Sequence, residues 1–351
     1  MTIQLVSASD AIAQLQAFDA IIDARSEAEY AEDHLPGAIN WPTLNNQERH
    51  EIGTLYKQVN PFEARKRGAA MAARNIAAHI EREAMDKPRE WKPLAYCWRG
   101  GKRSGSLALI LDQIGFRTHL IEGGYKAFRA AVVADIPARV AALRFTVICG
   151  RTGAGKTRLL HALHAQGGQV LDLEALANHR SSVLGAIPGV AQPTQKRFDT
   201  LVWDALRRMD PGRTVYIESE SKKVGNVFVP EALVQAMRQS PCLNLELPMA
   251  ERVALLLEDY DYLARNADHF CSRLDVLTEL RGHAVIKAWK EKVRAGDLPS
   301  VVEDLLVEHY DPVYLTSMQR NFVHYDQAIS IEPGNHGAPA MEALARQLLA
   351  N

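Results

Sequence analysis

A single cysteine lies in a loop whose composition favours a reactive thiolate. Cys97 follows an apolar run and precedes two glycines and three cations, Arg99, Lys102 and Arg103. Backbone N–H groups of such a loop, and the N-terminus of a following helix, stabilise both a thiolate and an incoming oxyanion. An inert buried cysteine would not require these neighbours. The loop therefore predicts that Cys97 is a nucleophile that takes an atom from an anionic donor, with the three cations assisting.

A second loop, near the middle of the chain, matches the phosphate-loop pattern G-x-x-x-x-G-K-T. It follows the apolar stretch 145–149 and precedes a helical pattern, which is the context that this motif requires. The glycines permit close backbone approach to phosphates, the lysine neutralises two phosphates, and the threonine could ligate Mg²⁺. The predicted binding residues are Gly150, Gly153, Gly155, Lys156 and Thr157. Cys149, inside the apolar stretch, is predicted to pack in the core.

Two acidic residues in the second half of the chain lie at the ends of predicted strands, where they could orient a metal ion. Asp172 lies at the end of the predicted strand 169–173, and Glu218 ends the predicted strand 214–218. Either could equally cap a helix or be a surface charge. The sequence therefore assigns no metal ligand and predicts no tightly bound cofactor. It is compatible with Mg²⁺ at the phosphate loop.

Length and composition limit the classes of protein to which the chain can belong. The chain has 351 residues, of which 47% are hydrophobic and 24% charged, so two ordinary globular domains are expected. No apolar run approaches the ~18–20 residues of a membrane span, and the N-terminus lacks a signal-like segment. A cytoplasmic protein without a membrane partner is expected. Four scattered cysteines without a C-x-x-C pair argue against a zinc site or a disulfide framework.

Positive charge is concentrated in one part of a nearly neutral chain. The net charge is −1, yet residues 57–103 contain twelve Lys or Arg and five Asp or Glu. Ion pairs on a solvated helix face explain part of this excess. The remainder lies at the Cys97 loop, where it would attract an anion.

The order of apolar and helical patterns predicts α/β architecture in both halves. Strands are expected at 20–25, 94–97 and 119–121, and helices at 62–85, 104–114 and 156–166. The pattern breaks at 135–137, which places the predicted domain boundary near 137–144. We expect domains at 1–140 and 141–351, the second becoming mainly helical beyond about residue 230.

Several residues near these motifs are predicted to be structural. The spacing of Asp23 and Arg25 at a strand end is typical of a salt bridge that shapes the fold. His34 begins a turn, where a hydrogen-bonded structural role is expected. Trp98, next to Cys97, could stack on a base or pack against the protein.

The motifs of the first half, taken together, resemble a rhodanese domain over roughly residues 5–137. They are Asp23-Ala24-Arg25, Glu29-Tyr30, His34 to Asn40, Cys97 with Gly101 to Ser104, and Glu122-Gly123-Gly124-Tyr125. A rhodanese domain followed directly by a phosphate-loop domain resembles the tRNA 2-selenouridine synthase family. The segments 53–57, 61–65 and 172–180 are similar to that family as well, so the resemblance covers nearly the whole chain.

This resemblance implies a transferase that modifies 2-thiouridine at the wobble position of the tRNA anticodon. It implies that geranyl diphosphate geranylates the sulfur, and that selenium from selenophosphate then replaces the S-geranyl group. Selenophosphate synthetase would supply the donor. Cys97 would carry selenium, Arg103 would bind the released phosphate, and the phosphate loop would hold diphosphate. The apolar cluster 253–257 could wall an isoprenoid pocket, although core packing explains it equally well.

One spacing departs from ordinary sulfurtransferases and keeps alternatives open. Arg103 comes six residues after Cys97, whereas the sulfurtransferase loop usually places arginine five residues after cysteine. The longer spacing also resembles dual-specificity phosphatases of the rhodanese fold. A further alternative is a rhodanese-type sulfurtransferase coupled to a phosphate-loop ATPase or kinase, since this loop normally holds a nucleotide.

Overall fold

The computed structural model describes residues 3–180, 185–187 and 189–350, with only the backbone at 263 and 264. The chain divides into two compact units. The first comprises Met1–Ala138 and Pro193–Asp204, and the second comprises Arg139–Gln192 and Ala205–Asn351. The first unit therefore includes a short segment from far along the chain. The predicted division of the sequence at residue 140 assigned that segment to the second domain.

The regular elements are numbered along the chain. The strands are β1 (Gln4–Val6), β2 (Ala20–Asp23), β3 (Ala38–Asn40), β4 (Pro93–Tyr96), β5 (His119–Ile121), β6 (Arg144–Cys149), β7 (Gln169–Leu171), β8 (Thr214–Glu218), β9 (Lys223–Val224), β10 (Val227–Phe228), β11 (Cys242–Leu245) and β12 (Ile329–Ile331). The helices are α1 (Ala8–Ala13), α2 (Glu27–Glu32), α3 (Asn46–Gln58), α4 (Pro61–Glu83), α5 (Lys102–Ile114), α6 (Gly124–Ala142), α7 (Lys156–Ala165), α8 (Leu173–Ala177), α9 (Gln195–Leu206), α10 (Glu231–Arg238), α11 (Met249–Asp259), α12 (Asp261–Ala264), α13 (Ala267–Leu274), α14 (Thr278–Arg281), α15 (His283–Arg294), α16 (Leu298–Asp304), α17 (Asp311–Asn321) and α18 (Ala338–Ala350). Short 3₁₀ turns lie at Leu15–Ala17, Asp275–Leu277 and Tyr325–Gln327, and a π-helical turn spans Leu305–Tyr310.

A parallel five-stranded sheet forms the centre of the first unit. Its strand order is β1-β5-β4-β2-β3, and every neighbouring pair is parallel. The central strand β4 is buried along its whole length, which is why its sequence is a continuous apolar run. The carboxyl end of β4 leads directly into the Cys97 loop, at the edge where parallel α/β sheets bind ligands.

Helix α9 belongs to the first unit although its neighbours along the chain belong to the second. Phe198, Val202 and Trp203 are fully buried, and the Trp203 ring meets Phe128 edge-on at 6.0 Å between centroids. The Trp203 indole also donates to Asp135 at 2.8 Å. An apolar helix face and a satisfied indole N–H together hold this segment against α6.

The predicted break at Asp135-Ile136-Pro137 is wrong, because α6 continues through Pro137 to Ala142. A proline inside a helix removes one hydrogen bond and costs about 3 kcal/mol. Phe128, Val132, Ile136 and Val140 recur every four residues, and each is at most 4% exposed. Burial of this continuous apolar stripe on both sides of the proline offsets the cost.

A second parallel five-stranded sheet forms the centre of the second unit. Its order is β12-β11-β6-β8-β7, with a separate β9–β10 hairpin, so the predicted α/β fold is confirmed in both units. Cys149, at the end of β6, is fully buried, which confirms its predicted packing role. The region beyond residue 230 is mainly helical, as expected, but the sequence patterns did not indicate β11 and β12. Among the described residues, no helix is both long and apolar enough to cross a membrane.

Candidate functional site

The Cys97 sulfur lies between the end of β4 and the start of α5. The Ser104 hydroxyl donates to Cys97 Sγ at 3.0 Å, and Cys97 Sγ lies 3.8 Å from the Gly101 carbonyl oxygen. Cys97 is only 3% exposed. A donor in the first turn of α5 stabilises negative charge on sulfur, and so does the helix N-terminus. The sequence motif includes Ser104 but did not predict its contact with Cys97; the signal that could have found it is a hydroxyl in the first predicted turn after the loop.

The motif Glu122-Gly123-Gly124-Tyr125 positions the Cys97 loop. The Tyr125 N–H donates to the Cys97 carbonyl at 2.8 Å, and the Lys126 N–H donates to the Trp98 carbonyl at 3.0 Å. Gly124 has φ +59°, and a Cβ there would lie 2.2 Å from the Cys97 carbonyl oxygen. Only glycine permits this approach of the two loops. The motif therefore fixes the backbone on which the cysteine is carried.

The three predicted cations of this loop have different surroundings. Arg99 and Lys102 are exposed. Arg103 instead donates to both carboxylate oxygens of Glu29, at 2.6 and 3.2 Å. Burial opposes ionisation of Glu29, yet the hydrogen bond and charge of Arg103 hold the pKa of Glu29 below its usual value. Arg103 thus fastens the start of α5 to α2.

Helix α9 brings a lysine beside the Cys97 loop. Lys196 Nζ lies 6.0 Å from the centre of the Trp98 ring and 2.7 Å from a Glu32 carboxylate oxygen. The Trp98 ring also stacks on Tyr125, at 5.5 Å between centroids. Trp98 therefore has packing contacts within the first unit. Sequence reasoning missed Lys196 because it lies almost a hundred residues beyond the loop.

The residues predicted to be structural have structural contacts. Arg25 and Asp23 form a salt bridge at 2.6 Å with both side chains at most 1% exposed, which confirms the predicted pair. Tyr96 donates to the same Asp23 carboxylate at 2.7 Å. His34 Nδ1 lies 2.9 Å from the Tyr30 carbonyl oxygen, and the two rings stack. These contacts fix the strand ends beneath the Cys97 loop.

The phosphate loop connects strand β6 to helix α7, which confirms the predicted strand-to-helix context. Gly150, Gly153 and Gly155 have φ values of +151°, +78° and +86°. A Cβ at Gly155 would lie 2.6 Å from Met341, and one at Gly150 would lie 2.7 Å from the Leu245 carbonyl oxygen. The glycines are therefore required by conformation and by close packing.

The lysine and threonine of the loop point toward different partners. Lys156 Nζ donates to the Gly150 carbonyl at 2.8 Å, so the ammonium group lies across the loop. Thr157 Oγ1 lies 3.5 Å from a Glu174 carboxylate oxygen. The loop thus places one cation and one hydroxyl at the N-terminus of α7, where a phosphate group is also favoured by the helix dipole.

Side chains from the helical region brace the phosphate loop. The Gly150 N–H donates to the Tyr314 hydroxyl at 2.6 Å. Arg252 is 3% exposed, donates to the Thr152 carbonyl at 2.9 Å, and pairs with Asp311 at 2.6 and 2.9 Å. Helices α11 and α17 therefore belong to the site. Sequence patterns did not predict these contacts, because they join residues about 60 to 160 positions apart.

Three carboxylates lie together beside the loop. One oxygen from each of Glu174, Glu218 and Glu220 lies within 4.8 Å of the others. Glu218 is 2% exposed, and its Oε1 has no hydrogen-bond partner among the described residues. Burial, and then the charge of Glu174, raise the pKa of Glu218. An all-oxygen set with an unsatisfied buried atom fits a hard divalent cation such as Mg²⁺.

Asp172, the other acid considered from the sequence, is a helix cap. Its carboxylate accepts from the Ala175 N–H at 2.8 Å at the start of α8. It also lies 3.3 Å from His161 Nε2. Capping satisfies an N–H that a helix start leaves without an intrahelical partner. Glu174, two residues later, is the residue of this segment that joins the carboxylate cluster.

A cavity of about 590 Å³ opens from the phosphate loop into the helical region. Its polar side includes Lys156, Thr157 and the three clustered glutamates. Its apolar side includes Leu255, Leu256, Val313, Met318 and Phe322. This volume falls within the range of sites for small organic ligands. The arrangement suits an amphiphilic ligand with an anionic head and an apolar body.

Two family models match successive parts of the chain, and curated relatives match most of its length. The model of the rhodanese-like domain family matches residues 7–131, and that of the tRNA 2-selenouridine synthase AAA domain matches residues 143–277. A tRNA 2-selenouridine synthase of Nitrosomonas europaea is 34% identical over 349 residues, covering 87% of this chain and 90% of the relative. One from Marinobacter nauticus is 31% identical, covering 84% and 87% respectively. A solved rhodanese-related protein of Thermoplasma volcanium is 18% identical, covers 36% of this chain and 89% of its own, and has a TM-score of 0.22.

Proposed function

Because the chain belongs to the tRNA 2-selenouridine synthase family, we propose that it converts 2-thiouridine at the tRNA wobble position to 2-selenouridine. The conversion takes place in two transfers, first of a geranyl group and then of selenium. The observation that carries this proposal is the cavity that joins a phosphate loop to an apolar wall. A separate cysteine loop in the first unit supplies the second reactive site.

In the first transfer, the tRNA sulfur attacks carbon 1 of geranyl diphosphate. The carbon–oxygen bond breaks, diphosphate leaves with the electron pair, and the uracil ring releases the N3 proton. Lys156 and the amides after Gly153 would hold the diphosphate, since both lie at the N-terminus of α7. Their charge stabilises the leaving group as the bond breaks.

The geranyl chain would lie against the apolar side of the cavity. Leu255 and Met318 are at most 3% exposed, while Leu256 lies next to the loop at Gly153. Burial of an apolar chain there is favourable by roughly 25 cal/mol for each Å² removed from water. Of the apolar cluster 253–257, for which an isoprenoid pocket and core packing were both open, Leu255 and Leu256 line the cavity, and α17 supplies further apolar side chains.

Mg²⁺ is the cation that we propose for the carboxylate cluster. Glu174, Glu218 and Glu220 would hold it, with Thr157 beside them. When bound, Mg²⁺ supplies positive charge that neutralises a diphosphate. The buried Glu218 carboxyl group gives the reason to expect it, because ionisation of a buried group is costly unless a bound cation compensates the charge.

In the second transfer, selenium replaces the geranylated sulfur. The bond from carbon 2 to sulfur breaks, a bond to selenium forms, and geranylthiol leaves. Selenophosphate, supplied by selenophosphate synthetase, donates the selenium, and water takes up its phosphoryl group as phosphate, so the overall change needs no external oxidant or reductant. The Cys97 thiolate attacks the phosphorus of selenophosphate and releases selenide, which attacks carbon 2, and water then cleaves the sulfur–phosphorus bond to give phosphate and the free thiolate. Arg99, Lys102 and Arg103 assist this step. Alkylated sulfur is a better leaving group than thiocarbonyl sulfur, which explains the order of the two transfers.

Separate assays of the two transfers test this assignment. Lys156→Ala should abolish geranylation of thiolated tRNA while selenation of pre-geranylated tRNA survives at least in part. Lys287→Ala is the matched control, because that side chain is 80% exposed in α15. Geranylation that persists in Lys156→Ala, or that requires ATP, would favour a sulfurtransferase coupled to a nucleotide-binding domain instead.

A further inference from the structure

Helices α3 and α4 form a hairpin whose tip is exposed and apolar. We define the hairpin tip as residues 56–62, all of which are exposed. Tyr56, Val59 and Phe62 are 48%, 73% and 65% exposed. Neither reactive loop nor the cavity uses these side chains. Neighbouring exposed apolar side chains of this size mark candidate binding surfaces.

Hydrogen bonds fix the conformation of the tip. The Asn60 side chain accepts from the Phe62 and Glu63 N–H groups at 2.8 and 3.3 Å, and Pro61 occupies the first turn of α4. The N–H groups of Val59 and Asn60 both donate to the Leu55 carbonyl. The exposed rings are therefore carried on a capped turn, and their position does not depend on a frayed helix end.

The base of the hairpin is joined to the Cys97 loop through one carboxylate. Arg49 of α3 lies 2.9 Å from Glu29, and Arg103 lies 2.6 Å from the same oxygen. Tyr56 follows Arg49 by seven residues, which is about 10 Å along a helix. The tip therefore lies within the reach of a polynucleotide that also contacts the Cys97 loop.

Charge at the tip favours a nucleic acid. Between residues 55 and 67 there are four cations, Lys57, Arg65, Lys66 and Arg67, and one acid, Glu63. Lys66 Nζ lies 5.3 Å from the centre of the Phe62 ring. Aromatic rings interleaved with cations bind single-stranded nucleic acid by stacking on bases and pairing with phosphates. Protein interfaces, by contrast, are depleted in lysine.

We propose that the hairpin tip binds the unpaired anticodon-loop bases of the substrate tRNA. Tyr56 and Phe62 stack on unpaired bases of that loop, and Lys57 and Arg65 contact the adjoining phosphates. This inference rests on the proposed function, because it assigns a surface to the same tRNA substrate.

Binding of thiolated tRNA to the full chain tests the inference. Tyr56→Ala with Phe62→Ala should raise the Kd at least about thirtyfold, as expected for the loss of two base stacks, and leave its salt dependence unchanged. Lys57→Ala with Arg65→Ala should lower the log–log salt slope by roughly one for each lost phosphate contact. The matched control removes two exposed apolar side chains elsewhere, Met85→Ala with Ile114→Ala.

A second pair of substitutions separates stacking from apolar contact. Tyr56→Leu with Phe62→Leu keeps bulk but removes the rings, so it should bind tRNA as weakly as the alanine pair. Leucine variants that bind tRNA with wild-type affinity would overturn base stacking. Unchanged alkylation of Cys97 by iodoacetamide checks that the unit remains folded. If wild-type protein binds tRNA and the alanine pair binds equally well, only this inference fails; if wild-type protein does not bind tRNA, the proposed function fails too.

Discussion

Arg103 and Glu29 form a two-point ion pair, with nitrogen–oxygen distances of 2.6 and 3.2 Å, that connects the start of α5 to α2. The same carboxylate pairs with Arg49 at 2.9 Å. One acid therefore holds the Cys97 loop and the α3–α4 hairpin together. The positive charge of Arg103, which the sequence assigned to an incoming anion, is shared with Glu29. Binding of an anionic donor at this loop therefore also depends on Arg99 and Lys102.

Glu29→Gln should destabilise the protein at pH 7 by about 2 kcal/mol, as expected for lost charged hydrogen bonds. The pKa of Glu29 is lowered on folding, so its contribution is present above the unfolded-state pKa and is lost as pH falls through the folded-state pKa. The difference in free energy of unfolding between wild type and variant should therefore shrink below about pH 4. Denaturant titrations at several pH values measure it; a difference that stays constant would contradict the ion-pair assignment.

Cys97→Ser should abolish selenation of pre-geranylated tRNA while geranylation continues, because a serine hydroxyl is not ionised at neutral pH and cannot replace the thiolate that releases selenide from its donor. Nucleoside analysis of the treated tRNA measures both products. Cys271→Ser removes a different buried thiol, in the second unit, and should retain both transfers. Normal formation of 2-selenouridine by Cys97→Ser would exclude the proposed role.

Lys196→Met should raise the KM for selenophosphate about fivefold and leave the thermal midpoint unchanged. Lys196 places a cation beside Trp98, whereas its exposed pair with Glu32 contributes little to stability. Lys196→Arg should restore the KM because it keeps the charge. Lys87→Met removes another ion-paired surface lysine of the first unit and serves as control. An unchanged KM would show that Lys196 only packs.

Glu218→Gln should abolish the stabilisation of the metal-free protein by added Mg²⁺. A cation that binds only the folded state raises the thermal midpoint, and the wild type should show this shift. Without Mg²⁺, the variant should be at least as stable as wild type, because a buried carboxyl group with one unsatisfied oxygen is replaced by a neutral amide. Glu342→Gln alters an exposed acid of α18 and is the control. Equal Mg²⁺ shifts in wild type and Glu218→Gln would rule out the carboxylate cluster.

Leu256→Trp should raise the KM for geranyl diphosphate at least tenfold, because a larger side chain fills the apolar side of the cavity. Inhibition by inorganic diphosphate should change less than threefold, since the phosphate loop is retained. Leu280→Trp, at a position 67% exposed, controls for the added indole. Equal losses for both ligands would indicate damage to the loop and not a filled geranyl pocket.

Local sequence was sufficient to predict the strand–loop–helix context of the Cys97 loop and of the phosphate loop. The phosphate loop and the Cys97 loop are short segments whose glycines shape the adjacent backbone, so spacing alone identifies them. Strand β4 and helix α5 are similarly encoded by an apolar run and a helical pattern. The salt bridge between Asp23 and Arg25 joins residues two apart, and it could be predicted for the same reason.

Only the tertiary structure decided which distant side chains complete each site. Lys196 reaches Trp98 because α9 packs in the first unit, and Tyr314 reaches Gly150 across 164 residues of chain. The continuation of α6 through Pro137 likewise depends on buried neighbours that outweigh a local signal. Contacts of this kind depend on how whole helices and strands pack together. Many arrangements of these elements could bury the same apolar faces. Sequence spacing therefore encodes the loops, and the packed fold selects the residues that surround them.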